Sequence, residues 1–239
     1  MANNYFEFKQ FTIFQDGSAM KVGTDGVLLG AWANVEGASR MLDVGAGSGL
    51  IAIMLAQRTN PGCEIEAVEI EDQAYQQAVD NIKACRWSNR IQLFHQSFQN
   101  FSESANSQYD LIVSNPPYFV NGLKNPEIAR SKARHSDYLP FEELLDGAKQ
   151  LLASRGKLAV VLPVGEGELF IRLARKSGFY LYRQVKVSPN PGKPAKRYLL
   201  EFKLESCETK EEEMAVENGQ RHVYTPEYIE LTKDFYLKF

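Results

Sequence analysis

The sequence predicts an α/β fold, with a mostly parallel sheet of seven strands and helices on both of its faces. Two observations predict this class. Apolar, strand-like stretches alternate with helix-like stretches through the middle of the 239-residue chain, which is the order of a parallel sheet whose strands are connected by helices. A glycine-rich turn joins the first of these strands to the helix after it, as in α/β folds that bind ligands at the carboxyl edge of the sheet.

Each predicted strand is a short stretch rich in apolar residues, and each predicted helix repeats apolar residues at three- and four-residue steps. The predicted strands are residues 40–45, 64–69, 91–94, 109–114, 157–162, 179–187 and 197–204. One predicted helix starts at Asp25, and the others are residues 50–58, 72–85, 140–152, 166–176 and 224–239. Asp72 is expected to cap its helix. The last two strands are joined by a loop without a helix, which predicts an antiparallel pair at the edge of the sheet.

We expect a single domain. Residues 1–38 form an N-terminal extension and a helix, residues 39–204 the core, and residues 205–239 an acidic, mobile loop followed by the last helix. The composition, with 44% hydrophobic and 24% charged residues, is that of a soluble globular protein. The apolar runs are too short for a membrane span, and residues 1–20 lack the apolar stretch of a signal peptide.

The three cysteines, Cys63, Cys85 and Cys207, are scattered along the chain. They fit a reducing compartment and supply neither a zinc site nor a disulfide framework. We therefore expect a cytoplasmic protein without a metal, and no obligate protein partner is evident.

The glycine turn has the sequence Gly45-Ala46-Gly47-Ser48-Gly49. Glycines there let the backbone turn tightly and let a ligand approach the main chain. Position 50 is Leu where the dinucleotide fingerprint needs a glycine, and no Gly-Lys-Ser/Thr follows, so an NAD site is disfavoured and a P-loop is excluded. Preceded by Asp43, the loop resembles motif I of the class I S-adenosylmethionine-dependent methyltransferases.

Two positions after the next strands extend this expected cofactor site. Glu69 ends the second strand, about twenty residues beyond the glycine loop, where an acid can accept hydrogen bonds from a ribose diol. Ser97 follows the third strand, where many methyltransferases of this class carry an Asp that meets the cofactor adenine. The resemblance therefore implies adenine recognition at Ser97 or its neighbours Gln96 and Phe98.

The tetrapeptide Asn115-Pro116-Pro117-Tyr118 follows the fourth strand, at the carboxyl edge where open α/β sheets bind ligands. The prolines fix the backbone and lack N–H groups, so the Asn115 side-chain oxygen and the Pro116 carbonyl can both accept hydrogen bonds from one amino group. Tyr118 offers a face on which a base can stack, worth about 1–3 kcal/mol. The tetrapeptide resembles the signature of amino-methyltransferases, which act on adenine N6, cytosine N4, guanine N2 or glutamine amides.

Further segments narrow the resemblance. Residues 23–30 read Gly-Thr-Asp-Gly-Val-Leu-Leu-Gly, residues 133–135 read Ala-Arg-His, and residues 224–228 read Tyr-Thr-Pro-Glu-Tyr. Together with the glycine loop and the tetrapeptide they make the chain similar, over nearly its whole length, to the bacterial valine-tRNA adenine-N6 methyltransferases, which modify the adenine beside the anticodon at tRNA position 37. The resemblance implies a Rossmann-like class I methyltransferase fold with S-adenosylmethionine as cofactor and tRNA as partner. It places the cofactor against Thr24, Asp25, Asp43, Gly45, Ala46, Gly47, Gly49, Glu69, Ile70, Ser97, Phe98 and Asn115.

Charge distribution fits an RNA substrate better than the total charge does. The formal net charge is −3, which by itself argues against a protein that coats nucleic acid. Residues 115–200, however, hold 15 Lys and Arg against 7 Asp and Glu, a net of +8, and the remainder holds 12 against 23. Phosphate contacts are expected from the basic residues around the predicted base pocket. They are Lys124, Arg130, Lys132, Arg134, His135, Lys193, Lys196 and Arg197.

Other functions share parts of this pattern. Glutamine-amide methyltransferases use the same tetrapeptide but normally carry a separate N-terminal helical domain, and DNA adenine methyltransferases usually add a target-recognition domain. Guanine-N2 methylation of ribosomal RNA stays possible from the tetrapeptide alone. A non-catalytic RNA-binding scaffold is disfavoured because the glycine loop and the tetrapeptide are both intact.

Overall fold

A mixed sheet of eight strands, with helices on both faces, forms the centre of the protein. The structure is a computed structural model, and it describes residues 4–15, 21–105, 107–117 and 139–239. The described strands are β1 Tyr5–Glu7, β2 Thr12–Phe14, β3 Arg40–Val44, β4 Glu64–Glu69, β5 Ile91–His95, β6 Tyr109–Ser114, β7 Leu152–Pro163, β8 Tyr180–Ser188, β9 Arg197–Lys203 and β10 Lys210–Ala215. The described α-helices are α1 Thr24–Trp32, α2 Leu50–Arg58, α3 Asp72–Ala84, α4 Phe98–Ser104, α5 Phe141–Leu151, α6 Val164–Lys176 and α7 Pro226–Thr232.

The strand order of the large sheet is β10-β8-β9-β7-β6-β3-β4-β5. Strand β9 runs antiparallel to both of its neighbours, and the other described pairs of this sheet are parallel. The α/β class with helices on both faces is confirmed. The antiparallel strand, however, lies inside the sheet rather than at its edge, because β9 inserts between β7 and β8.

The eighth strand corrects the prediction of a loop after residue 204. Strand β10 is a parallel edge strand beside β8, in a segment whose Glu211, Glu212 and Glu213 gave no apolar alternation. Its pairing is supported by the 2.9 Å ion pair between Lys186 and Glu211. Charged side chains on an edge strand also discourage pairing with other chains, so the acidic composition is compatible with a strand at this position.

The core lies on both faces of the sheet, as the alternation along single strands requires. On β6, Leu111 and Val113 belong to the cluster on the side of α1 and α2, whereas Ile112 packs with α4, α5 and α6 on the other side. Both faces of the central strands are therefore covered, which explains why these strands are almost continuously apolar.

The two ends of the described chain pack together beside this core. Strands β1 and β2 form an antiparallel hairpin that the sequence did not predict. Lys9 lies in the turn of this hairpin, and its Nζ donates to the carbonyls of Lys233 and Phe239, at 2.7 and 2.5 Å. The last helix is shorter than predicted, because after Thr232 the aromatic residues form turns and pack against the hairpin, for example Tyr236 on Phe8 with ring centroids 5.9 Å apart.

Candidate active site

The glycine loop lies between β3 and α2, at the carboxyl edge of the sheet. Gly45, Gly47 and Gly49 have φ values of +75°, +56° and +80°, a region that side chains with a Cβ rarely adopt. The amides of Gly45 and Ala46 donate to the carbonyl of Val68, at 2.9 and 3.0 Å, which places the loop against the end of β4. A Cβ added at Gly45 or Gly47 would meet no atom of the described residues within 4 Å. The backbone therefore borders open space that a ligand can enter.

Asp43 lies beneath this loop and is completely buried. Its Oδ2 accepts a 3.0 Å hydrogen bond from the amide of Ala52 in the first turn of α2, while Oδ1 has no partner among the described residues. Burial is the main cause that raises the pKa of Asp43 to about 7, with a smaller contribution from the charge of Glu69. The contact with Ala52 shows that Asp43 holds the start of α2 and thereby the end of the glycine loop.

Glu69 is fixed at the end of β4, facing the loop. Its Oε2 accepts from the amide of Gly47 at 2.7 Å, and its Oε1 accepts from the amides of Ile70 and Glu71, each at 2.9 Å. Three backbone donors hold the carboxylate in one orientation. Glu71, two residues after Glu69, caps α3 in place of the expected Asp72, because its carboxylate accepts from the amides of Gln73 and Ala74.

Ser97 caps a helix, whereas the side chain of its neighbour Phe98 is part of the core. The Oγ of Ser97 accepts from the amide of Asn100 at 3.1 Å and caps α4. The ring of Phe98 is 4% exposed, and a Cβ added at Gly147 of α5 would lie 2.5 Å from it. The side chain of Phe98 is thus committed to the core, and any contact with a ligand at this position falls to its backbone.

A stacked aromatic pair lies near Ile70, and the sequence did not predict it. The rings of Tyr75 and His95 are stacked with centroids 4.3 Å apart and an interplanar angle of 17°. His95 Nε2 lies 3.1 Å from Asp72 Oδ1 and 3.2 Å from the carbonyl of Ile70. No local motif marks this pair, because its members come from α3 and from the end of β5.

Asn115 follows β6, next to the strand that leads into the glycine loop. The hydroxyl of Ser114 donates to the carbonyl of Val44 at 2.9 Å and joins the ends of β6 and β3. The Oδ1 of Asn115 is buried and has no hydrogen-bond partner among the described residues. Buried acceptors without a partner are unfavourable and rare, so this atom is suited to receive a donor from a ligand. Pro116 is buried and Pro117 exposed, whereas Tyr118 lies outside the described residues.

Asp25 and Arg197 were predicted to contact different ligands, the cofactor and RNA, but the structure pairs them with each other. Asp25 lies in the first turn of α1, after the exposed Thr24, and Arg197 begins β9 beside the end of β7. Arg197 Nε donates to Asp25 Oδ2 at 2.7 Å. The pair connects the start of α1 to the carboxyl edge of the sheet.

Apart from Arg197, the predicted phosphate-binding residues fall into two groups. Lys124, Arg130, Lys132, Arg134 and His135 lie outside the described residues. Lys193 and Lys196 are exposed in the loop between β8 and β9, at the same edge of the sheet as the glycine loop. Lys193 borders a cavity of about 670 Å³ that Glu213 and Glu227 also line, so the local charge on this part of the edge is mixed.

The part of the chain that the structure describes contains neither a metal-binding group nor a membrane-spanning helix. No group of three or more His, Cys, Asp or Glu side chains there is arranged to hold a metal ion. No described helix has the length and apolar character needed to cross a membrane.

Comparison with known proteins agrees with this geometry. The family model described as "Methyltransferase small domain" matches residues 19–167. The chain is 48% identical, over the whole length of both chains, to the tRNA1(Val) (adenine(37)-N6)-methyltransferase of Bacteroides fragilis strain YCH46, and 46% identical over the same extent to that of Trichodesmium erythraeum. Among solved structures, a predicted O-methyltransferase from Agrobacterium tumefaciens shares the fold with a TM-score of 0.66 at 21% identity, covering 88% of this chain and 96% of the other. The chain therefore belongs to the methyltransferase small domain family and, within it, to the group of full-length relatives named tRNA1(Val) (adenine(37)-N6)-methyltransferases.

Proposed function

We propose that the protein transfers a methyl group from S-adenosylmethionine to the exocyclic N6 amino group of adenine 37, beside the anticodon of valine tRNA. Full-length identity of 48% to a protein named for this reaction carries the proposal. The buried, unpartnered Oδ1 of Asn115 adjoins the glycine loop through β3 and β6, and it supplies the acceptor that an amino group requires.

The residues at the glycine loop fit the cofactor. Open space beside Gly45 and Gly47 leaves room for a ligand against the backbone, and the oriented carboxylate of Glu69 can accept further hydrogen bonds from a ribose. We propose that these residues hold S-adenosylmethionine, with Ile70 and the backbone at Ser97 and Phe98 on its adenosine side and Thr24 and Asp25 towards its methionine end. When bound, this cofactor supplies a methyl group made electrophilic by a positively charged sulfur.

The protein groups around the target act on its amino nitrogen. We propose that the adenine leaves its stack, as enzymes that act on bases generally require. Its amino group then donates hydrogen bonds to Asn115 Oδ1 and to the Pro116 carbonyl. These two hydrogen bonds pull the amino group out of the plane of the base towards a tetrahedral geometry, which makes the nitrogen lone pair more available for attack on the methyl group. The fixed backbone of Pro116 and Pro117 orients these acceptors, and Tyr118 stacks on the base. Positioning and exclusion of water then account for most of the rate enhancement.

The proposed tRNA contacts come from basic residues that follow β6 or lie in the loop between β8 and β9. We propose phosphate contacts for the exposed Lys193 and Lys196, together with Lys124, Arg130, Lys132, Arg134 and His135. Arg197 is ion-paired with Asp25 at the start of α1, and we propose that it also contributes to the phosphate contacts. We further propose that the chain acts as one domain, in the cytoplasm where tRNA is found, without an obligate protein partner.

Methyl transfer to defined RNAs tests the proposal. The purified protein is incubated with radiolabelled S-adenosylmethionine and a valine tRNA transcript, with a transcript carrying guanosine at position 37 as the matched control, and the product nucleosides are separated. Label in N6-methyladenosine from the first transcript alone supports the proposal. Label in guanosine, or no label in either transcript, refutes the proposal. The same assay with ribosomal RNA and with a protein substrate then distinguishes guanine-N2 methylation and glutamine methylation from a non-catalytic role.

A further inference from the structure

Asn81 is a completely buried amide on α3 with three strong hydrogen bonds. Its Nδ2 donates to the carbonyl of Ser48 and to the carbonyl of Phe14, both at 2.9 Å, and its Oδ1 accepts from the amide of Phe14 at 2.8 Å. Both donor hydrogens are thus used. One side chain therefore joins two segments that are distant in sequence, the glycine loop and the N-terminal hairpin.

The bond to Ser48 holds the part of the glycine loop that leads into α2. Ser48 stands between Gly47 and Gly49, both with positive φ, and its carbonyl precedes the hydrogen-bond ladder of α2, which begins with the 3.0 Å bond from Ile53 to Gly49. A carbonyl outside the ladder needs a donor from elsewhere, and Asn81 supplies it. On the other side of the loop Glu69 accepts from Gly47, so the loop is held from both sides.

The bonds to Phe14 satisfy the backbone of the hairpin, as the hydrogen bonds of a neighbouring strand would. The amide and the carbonyl of Phe14 are bonded to the same side chain, while the next residue, Gln15, accepts through its side chain from the amide of Val22 at 2.8 Å, just before α1. The hairpin is consequently tied to the glycine loop on one side and to the segment entering α1 on the other.

We infer that Asn81 is a positioning residue: it fixes the glycine loop in the conformation that receives the cofactor and makes the N-terminal hairpin part of the cofactor site. The inference rests on the proposed function in one respect, namely that S-adenosylmethionine binds at the glycine loop. Loss of the Nδ2 donors leaves the Ser48 carbonyl unsatisfied unless the loop moves. Cofactor affinity then falls in proportion to the fraction of molecules that keep the binding conformation.

Two substitutions separate the donor bonds from the acceptor bond. Asn81→Ala removes all three, whereas Asn81→Asp keeps an acceptor for the amide of Phe14 and loses both donors. Thr232→Ala is the matched control, because Thr232 is also completely buried and donates to the carbonyl of Tyr228 at 2.7 Å, but in α7 and without contact with the loop. For each variant, the dissociation constant for S-adenosylmethionine is measured by calorimetry, Tm by thermal unfolding, and kcat with tRNA at saturating cofactor.

We expect both Asn81 variants to raise the dissociation constant by about tenfold or more, the order of one lost buried hydrogen bond, with kcat at saturating cofactor changed by less than about threefold. Thr232→Ala lowers Tm but leaves the dissociation constant at the wild-type value. An unchanged dissociation constant in the Asn81 variants, or an equal increase in Thr232→Ala, overturns the inference. A wild-type protein that binds no S-adenosylmethionine refutes the proposed function and this inference with it.

Hydrogen exchange of the wild-type protein provides a test that needs no substitution. Binding of S-adenosylmethionine should slow exchange of the Phe14 amide, which is bonded to Asn81, together with exchange in the glycine loop. Slower exchange in the glycine loop without any change at residues 12–15 overturns the inference.

Discussion

Asn115→Ala should abolish most of the turnover while leaving the affinity for S-adenosylmethionine nearly intact, because the glycine loop and Glu69 supply most of the proposed cofactor contacts. The substitution removes one of the two acceptors proposed for the amino group of adenine, and that amino nitrogen gains positive charge as the new bond forms. A hydrogen bond to a charged group contributes about 1.5–3 kcal/mol, which corresponds to about a 10- to 150-fold lower kcat. In the free protein the same oxygen is buried without a described partner, so its removal should leave Tm unchanged or raise it.

The assay compares single-turnover methylation of valine tRNA with the calorimetric affinity for S-adenosylmethionine. Asn34→Ala is the matched control, because Asn34 follows α1 and its Oδ1 serves only a local bond to the amide of Glu36 in the described structure. The control should retain the wild-type rate. A rate of Asn115→Ala within about threefold of wild type, or a lost affinity for the cofactor, would refute the roles given to these residues.

Three further predictions concern charge. Burial raises the pKa of Asp43 to about 7, so between about pH 4 and 7 the folded state binds a proton that the unfolded state has released. The free energy of unfolding should therefore fall as the pH rises through this range. Urea unfolding of Asp43→Asn should lack this part of the pH dependence. Replacing Lys193 and Lys196 together by Ala should raise the KM for tRNA severalfold and reduce the salt dependence of binding by about two phosphate contacts, with kcat unchanged; an unaltered salt slope would contradict their role. A double-mutant cycle of Asp25→Asn and Arg197→Gln, measured by thermal unfolding, should give a coupling energy of about 1 kcal/mol, as partly exposed ion pairs do, and additive effects would mean that the pair contributes nothing.

The central sheet could be predicted because burial on both faces leaves a strong pattern in single strands. Residues 109–114 and 157–162 contain the apolar runs Leu111 to Val113 and Leu158 to Leu162, and these runs lie in strands β6 and β7. The glycine loop was equally visible, since the positive φ angles of Gly45, Gly47 and Gly49 restrict the residue type at each position.

The remaining features depend on contacts between distant segments, which one sequence does not encode locally. Strand β10 lacks apolar alternation because it is an exposed edge, and its backbone pairing with β8 determines its conformation. Phe98 looks like a candidate ligand contact in the sequence, but its packing against Gly147 commits the ring to the core. Asn81 lies near Ala78 and Ile82 on a helix whose apolar face is buried, and only the fold reveals that its partners are Ser48 and Phe14.

The reversed direction of β9 determines where this protein can acquire a new specificity. In a uniformly parallel sheet, the chain after β8 would have to cross back to the opposite edge before starting another strand. Because β9 starts where β8 ends, the connection of eight residues at 189–196 stays at the carboxyl edge of the sheet, and none of its residues is buried in the core. Its length and charge can therefore change while the sheet, the glycine loop and the Asn-Pro-Pro turn remain intact, which makes it a site for grafting loops that redirect the enzyme to other RNAs.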